Sequence, residues 1–109
     1  MGKGEYLGEF EHLVLLALAA AGDQAHGRSI YEVILAATSR DVAITAVHVT
    51  LRRLEKKGLV RSAFAETADP DDARPRKMYE IEPAGEKLLR ETRSNLDRLW
   101  HAAALRGES

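Results

Sequence analysis

From residue 7 onward, apolar residues recur at three- and four-residue spacing, the pattern of a helix with one face turned to a core. Phe10, Leu13, Leu16, Ala17 and Ala20 form the expected inward stripe of this first helix; Gly22 ends it, and Asp23 and Gln24 make the turn. Gly27 lets the chain bend again. A second helix is expected over residues 28–38, with Ile30, Val33, Ile34 and Ala37 on one face. Residues 41–44 are a short β-prone stretch. Thr45 then stands as the expected N-cap of a third helix over residues 46–57, because a threonine hydroxyl can accept an orphan backbone N–H. Val47, Leu51 and Leu54 are the buried stripe of that helix. Lys56 and Lys57 occupy its last turn, where the helix dipole favours cations, and Gly58 is in the position of a stop.

After Gly58 the period shortens to two. Val60, Ser62 and Phe64 alternate with Arg61, Ala63 and Ala65, which predicts a strand with Val60, Ser62 and Phe64 on its buried face. Residues 67–75 hold Asp-Pro, Asp-Asp and a second proline and read as a loop, and residues 77–81 alternate again with Tyr79 and Ile81 inward. Pro83 suits the first turn of a last helix that runs to about Leu105. The order is helix, helix, short strand, helix, hairpin, long helix. It predicts a mainly α chain with a small β-hairpin, a winged helix-turn-helix. The expected division is a disordered leader at residues 1–6, a DNA-binding domain at 7–82, and a C-terminal dimerisation helix with its tail at 83–109.

Composition narrows the class. A chain of 109 residues with 45% hydrophobic and 30% charged residues suits one globular core rather than a disordered tail. The absence of cysteine excludes a disulfide framework and a thiolate metal site, and fits a cytoplasmic protein. The longest apolar run, residues 13–21, is shorter than the ~20 residues a membrane span needs. Glu9 and Glu11 precede it where a signal peptide would carry cations, so no membrane partner is expected. The net charge of −1 says little, but its distribution says more. Arg52, Arg53, Lys56, Lys57, Arg61, Arg74, Arg76 and Lys77 cluster in one stretch, while Glu5, Glu9, Glu11, Asp23, Glu32 and Asp41 make the first third acidic. Such a basic segment in a near-neutral chain marks one surface aimed at an anion.

The third helix is the expected DNA reader. At ~100° per residue, Thr45, Ala46, Val49, Arg52, Arg53 and Lys56 point outward, with His48 and Thr50 at the margins. Small residues let the backbone approach a major groove, Thr and His can bond base edges, Val49 can touch a thymine methyl, and Arg can reach phosphate or guanine. Arg74, Arg76 and Lys77 on the returning arm of the hairpin are the expected wing contacts, while Glu66, Asp69, Asp71 and Asp72 keep the tip in solvent. In the last helix Leu89, Thr92, Leu96, Leu99 and Ala103 repeat at heptad-like spacing, with Trp100 beside them. A second copy of the chain would cover that stripe, and a C2 homodimer would set two reading helices about one DNA turn apart.

Catalysis is not expected. His12, His26, His48 and His101 are scattered with no metal-binding spacing, no phosphate loop or nucleophile elbow occurs, and no cofactor is implied. His26 is expected to shape the turn before the second helix. A winged helix used only for protein contacts is the alternative, and the cluster of basic groups speaks against it.

His26-Gly27 followed by Tyr31-Glu32, the stretch 46–60 and the stretch 76–85 together resemble, in register, the PadR-like transcriptional regulators; the likeness runs from about Leu7 to Trp100. It implies a winged-helix homodimer in which the last helix packs on the first helix, which brings Phe10 into the interface. It implies repression of a target operon, often one for stress or transport. It also implies, for some relatives, a flat aromatic ligand held between subunits by a tryptophan of the last helix, the helix in which Trp100 lies.

Overall fold

The computed structural model describes residues 6–65 and 75–104. Within them the chain forms α1 (Glu9–Ala21), a 3-10 turn (Gly22–Gln24), α2 (Gly27–Thr38), α3 (Ile44–Lys56), an antiparallel hairpin of β1 (Val60–Ala65) and β2 (Arg76–Ile81), and α4 (Pro83–Ala103). This is the expected mainly helical chain with one hairpin and a long last helix. Residues 1–5 of the expected leader and the expected helix end at Leu105 lie outside the described residues.

The backbone N–H of Gly8 donates to Glu11 Oε1 at 2.9 Å and closes the start of α1, and Gly22, at φ 60°, ends it. The inward face differs from the expected one. Glu11, Val14, Leu15, Ala17 and Leu18 are buried, whereas Leu16 is 47% exposed, Ala20 is exposed, and Phe10 and Leu13 are only half-buried. Every residue from Leu13 to Ala21 is apolar, so local periodicity cannot choose a face. Tertiary contact chooses it. Glu11, 6% exposed, accepts from Lys57 Nζ at 2.8 and 3.0 Å, so the pair ties the start of α1 to the end of α3. Burial pushes the Glu11 carboxyl up. The Lys57 and Gly8 hydrogen bonds and the charges of Lys57 and Arg53 outweigh it and hold the carboxyl below its ordinary range.

Ser29 closes the start of α2: its Oγ accepts from the His26 backbone N–H at 3.0 Å and donates to the Gln24 carbonyl at 2.5 Å. Ile30 and Ile34 face the core, and of the expected stripe only Ala37 is exposed. Residues 41–44 are not a strand. Ile44 already belongs to α3, the N-cap is Ala43, and Thr45 lies inside the first turn without capping it. The outer edge of β2 is met instead by the segment ahead of α2. Tyr79 N–H donates to the Ala25 carbonyl at 2.8 Å, and His26 bridges Met78 antiparallel. A strand needs a neighbouring edge to satisfy its backbone, and the edge of β2 lies beside Ala25 and His26.

Val47, Leu51 and Leu54 are fully buried, as their spacing predicts, and close the core with Val14, Leu15, Ile30 and Val60. In the hairpin Val60 pairs with Ile81, Ser62 with Tyr79, and Phe64 with Lys77. Val60 and Tyr79 are buried, but Phe64, expected inward, is 70% exposed, because the hairpin outruns the core before it reaches that pair. Pro83 opens α4. Gly85 is buried there against the Leu59 carbonyl, where an added Cβ would stand 2.4 Å from the oxygen. Leu88 and Leu89 pack on the core. Beyond Thr92 the apolar side of α4 is bare, with Leu96, Leu99 and Trp100 exposed. No described helix is long and apolar enough to cross a membrane.

The Glu11–Lys57 pair makes stability depend on pH in a definite direction. A carboxyl whose folded pKa is depressed stabilises fully above its unfolded value, near 4.5, and loses that contribution as pH falls through the folded value. Glu11→Gln is expected to cost ~1–3 kcal/mol at neutral pH in urea denaturation. The difference from the parent protein should shrink progressively on acidification; an equal difference at pH 7 and pH 3 would show that the charge of Glu11 is not what stabilises.

Candidate nucleic-acid interface

The outer face of α3 is built by default from what its core stripe leaves out. With Val47, Leu51 and Leu54 turned inward, Thr45, His48, Val49, Arg52, Arg53 and Lys56 are exposed and Ala46 is half-buried. Thr50 departs from expectation. It is 3% exposed and lies in the core. At ~100° per residue it falls ~60° from Val47 and ~40° from Leu54, at the edge of the core-facing arc, and its burial there leaves it no route to a ligand on the outer face.

An open groove runs between this face and β2, lined by Val49, Arg52, Arg53, Glu55, Lys56 and Lys77. Among the described residues Arg52, Arg53 and Lys56 make no ion pair, so three positive charges stand on one wall. The one acid lining the groove among the described residues is occupied: Glu55 accepts from Ser62 Oγ at 2.7 Å and lies 3.9 Å from Lys77 Nζ. Lys77 also lies 5.7 Å over the Tyr79 ring, a cation–π contact that holds its stem along the wing. Burial, and then the charge of Glu55, push the Tyr79 phenol up and keep it protonated.

The wing cations do not share a face. Strand alternation puts Lys77 on one face with Tyr79 and Ile81, where only Lys77 reaches the groove, and Arg76 on the opposite face with Met78 and Glu80. On that side Arg76 lies near enough to His26 that its charge adds to burial in lowering the imidazole pKa. Arg74, and the acidic residues Glu66, Asp69, Asp71 and Asp72 of the tip, lie outside the described residues. On β1, Arg61 is taken up by Glu80 and Glu82, which removes it from the groove.

Two placements have no signal in the sequence pattern. Lys57, expected only as a dipole partner, is the mate of the buried Glu11. Gly27 lies against His48: a Cβ there would stand 2.3 Å from His48 Cε1, so the bare backbone of α2 makes room for the imidazole on the outer face of α3. A glycine beside a helix start is visible in the sequence, but the ring it accommodates is not.

The expected dimer residues divide. Leu89 and Thr92 are half-buried in this chain's own fold, and Phe10 is half-buried with the Arg40 guanidinium 5.8 Å over its ring. Leu96, Leu99, Trp100 and Ala103 are exposed, Trp100 to 52%.

A family model described as the transcriptional regulator PadR-like family matches residues 15–91. No curated protein matches the sequence. Among solved structures, the chain is similar to a PadR-like transcription factor from Bacteroides fragilis, at 22% identity and a TM-score of 0.71 over 86% of this chain and 85% of that one. It is similar to a transcriptional regulator from Clostridium thermocellum, at 22% identity and a TM-score of 0.70 over 90% and 92% of the two chains. It is also similar to a PadR family transcriptional regulator from Eggerthella lenta, at 26% identity and a TM-score of 0.67 over 87% and 82%.

The Gly27–His48 contact can be read by a double-mutant cycle. Alanine at a helix start is intrinsically no worse than glycine, so any cost of Gly27→Ala must come from the ring it displaces. Gly27→Ala should be less favourable in the parent protein than in the His48→Ala background by ~1–2 kcal/mol, measured by urea denaturation. Equal effects in both backgrounds would show that His48 does not depend on that bare backbone.

Proposed function

The chain belongs to the PadR-like family of transcriptional regulators, and on that premise we propose that it represses a target operon by binding a pseudopalindromic operator as a cytoplasmic homodimer. The observation that carries the reading is the groove between α3 and β2, with Arg52, Arg53 and Lys56, which make no ion pair among the described residues, on one wall and Lys77 on the other. A duplex presents phosphates on both sides of its major groove. A helix that enters it needs small or hydrogen-bonding residues at the tip and cations further along. Thr45, Ala46, His48 and Val49 would meet base edges, Arg52, Arg53 and Lys56 the backbone or guanine, and Lys77 and Arg74 the flanking phosphates. The DNA-reading module is taken as residues 7–82 and the dimerisation helix and tail as 83–109.

Dimerisation follows from the bare stripe of α4. Leu96, Leu99 and Trp100 are too large an apolar run to leave in water, and Leu16 on the outward face of α1 offers them a matching surface in a second copy. Two reading helices related by a two-fold axis then address two half-sites, and a dimer seated on a promoter blocks polymerase. A second reading, an aromatic effector held between subunits, is favoured by the half-exposed indole of Trp100 on that stripe. Titrating Trp100 fluorescence with planar aromatic compounds tests it, and an unchanged spectrum with all of them removes it.

Selection of bound sequences from a random duplex pool would reveal half-site spacing, and recovery of unpaired single sites would exclude the dimeric mode. Affinity should fall steeply with salt because bound phosphates release counterions. Arg53→Ala should weaken operator binding by ~1–3 kcal/mol and relax preference at one base position; an equal loss on every sequence would make Arg53 a phosphate contact. Leu96→Arg should halve the mass seen by light scattering, and an unchanged mass would remove that stripe from the interface.

A further inference from the structure

Phe64 is the large apolar side chain that the fold leaves most exposed on the hairpin, and its direction is fixed by its neighbours. Val60, Ser62 and Phe64 share one face of β1. Val60 is in the core, and Ser62 bonds Glu55 of α3 at 2.7 Å, so that face looks toward α3. Its cross-strand partner Lys77 lines the groove. Phe64 therefore continues the wing wall of the cationic groove outward from Lys77, across the groove from Arg52 and Lys56.

We propose that Phe64 packs its ring on the deoxyribose rings of the DNA strand beside the groove occupied by α3, an apolar contact set among phosphate contacts. The proposal rests on the DNA-binding reading above. The occupant follows from the surroundings. A hydrophobic protein surface would have to desolvate Lys77 and the guanidinium wall for the sake of one ring. A nucleic-acid backbone alternates anionic phosphates with apolar sugars, so it satisfies the cations and covers the ring together. Apolar side chains, phenylalanine among them, contact DNA elsewhere by wedging between base steps from the minor groove, so an apolar contact amid phosphate contacts has precedent. The bare stripe of α4, on a separate element, already supplies a surface for a second copy of the chain.

The test is fluorescence anisotropy with a labelled mixed-sequence duplex of about 30 base pairs, long enough for two half-sites one turn apart. An apolar contact releases no counterion. Phe64→Ala should therefore weaken binding roughly tenfold at every salt concentration and leave the slope of log affinity against log salt unchanged. Lys77→Ala should instead lower that slope by about one. Phe64→Leu should keep most of the affinity. The ring is already in water, so Phe64→Ala should leave the circular dichroism spectrum and thermal midpoint as they are. Parent-like affinity of Phe64→Ala, alongside steep salt dependence of the parent protein, overturns the proposal and leaves DNA binding standing. Failure of the parent protein to bind the duplex at low salt overturns the DNA-binding reading itself. A lower mass of Phe64→Ala by light scattering would assign the ring to a protein interface and would also overturn the proposal.

Discussion

The burial of one side of α3 is the constraint from which the other features follow. Val47, Thr50, Leu51 and Leu54 fill the space between α1, α2 and the hairpin, and once they are inside, the opposite side of the helix has only one direction to face. The core does not extend as far as the groove wall. Arg52, Arg53 and Lys56 are left in water, where charge costs nothing to maintain and can be spent on an anion. The same packing carries β1 away from the end of α3 and lays the wing beside it. The hydrophobic core and the cationic groove are thus two consequences of one helix orientation.

That orientation is held at one end by a polar contact and at the other by a close approach of backbone, neither of which the core alone would supply. At the C-terminal end Lys57 reaches across to Glu11, a carboxylate buried in α1 and fully engaged by Lys57 and the Gly8 N–H. A pair of this kind adds little by comparison with apolar packing of similar size, but breaking it leaves a buried charge, so it penalises any other rotation of α1. Toward the N-terminal end, the Gly27 backbone lies close under His48 and lets α2 and α3 approach. The Glu55–Ser62–Lys77 cluster acts similarly on the wing. It neutralises Glu55, the one acid lining the groove among the described residues, while the whole chain carries a net charge of −1.

α4 belongs to two environments. Its first turns, with Gly85, Leu88 and Leu89, are part of the core, and its later turns carry the same heptad-like spacing into solvent. A helix of 21 residues is ~32 Å long and extends beyond what so small a core can cover. The same helix carries Gly85, packed against the Leu59 carbonyl at the base of the wing, and the exposed Trp100.

Where local chemistry is unambiguous, the sequence is a sufficient guide. The α3 stripe alternates apolar and charged residues at helical spacing, Gly22 and Gly58 mark ends, Pro83 marks a start, and the period of two after Gly58 marks the hairpin. Those signals, with the basic cluster from Arg52 to Lys77, determined the fold class and the side of α3 to examine. Other features depend on partners distant in sequence. The apolar run of α1 has no polar gap to orient it, so the inward face is set by Lys57, forty-six residues away. The stretch 41–44 reads as β-prone but pairs with no strand among the described residues, and Ile44 joins α3, while Ala25 and His26 meet the edge of β2. Phe64 keeps its place in the strand alternation and still ends in water, because alternation defines a face and only the extent of the core decides how much of that face is covered.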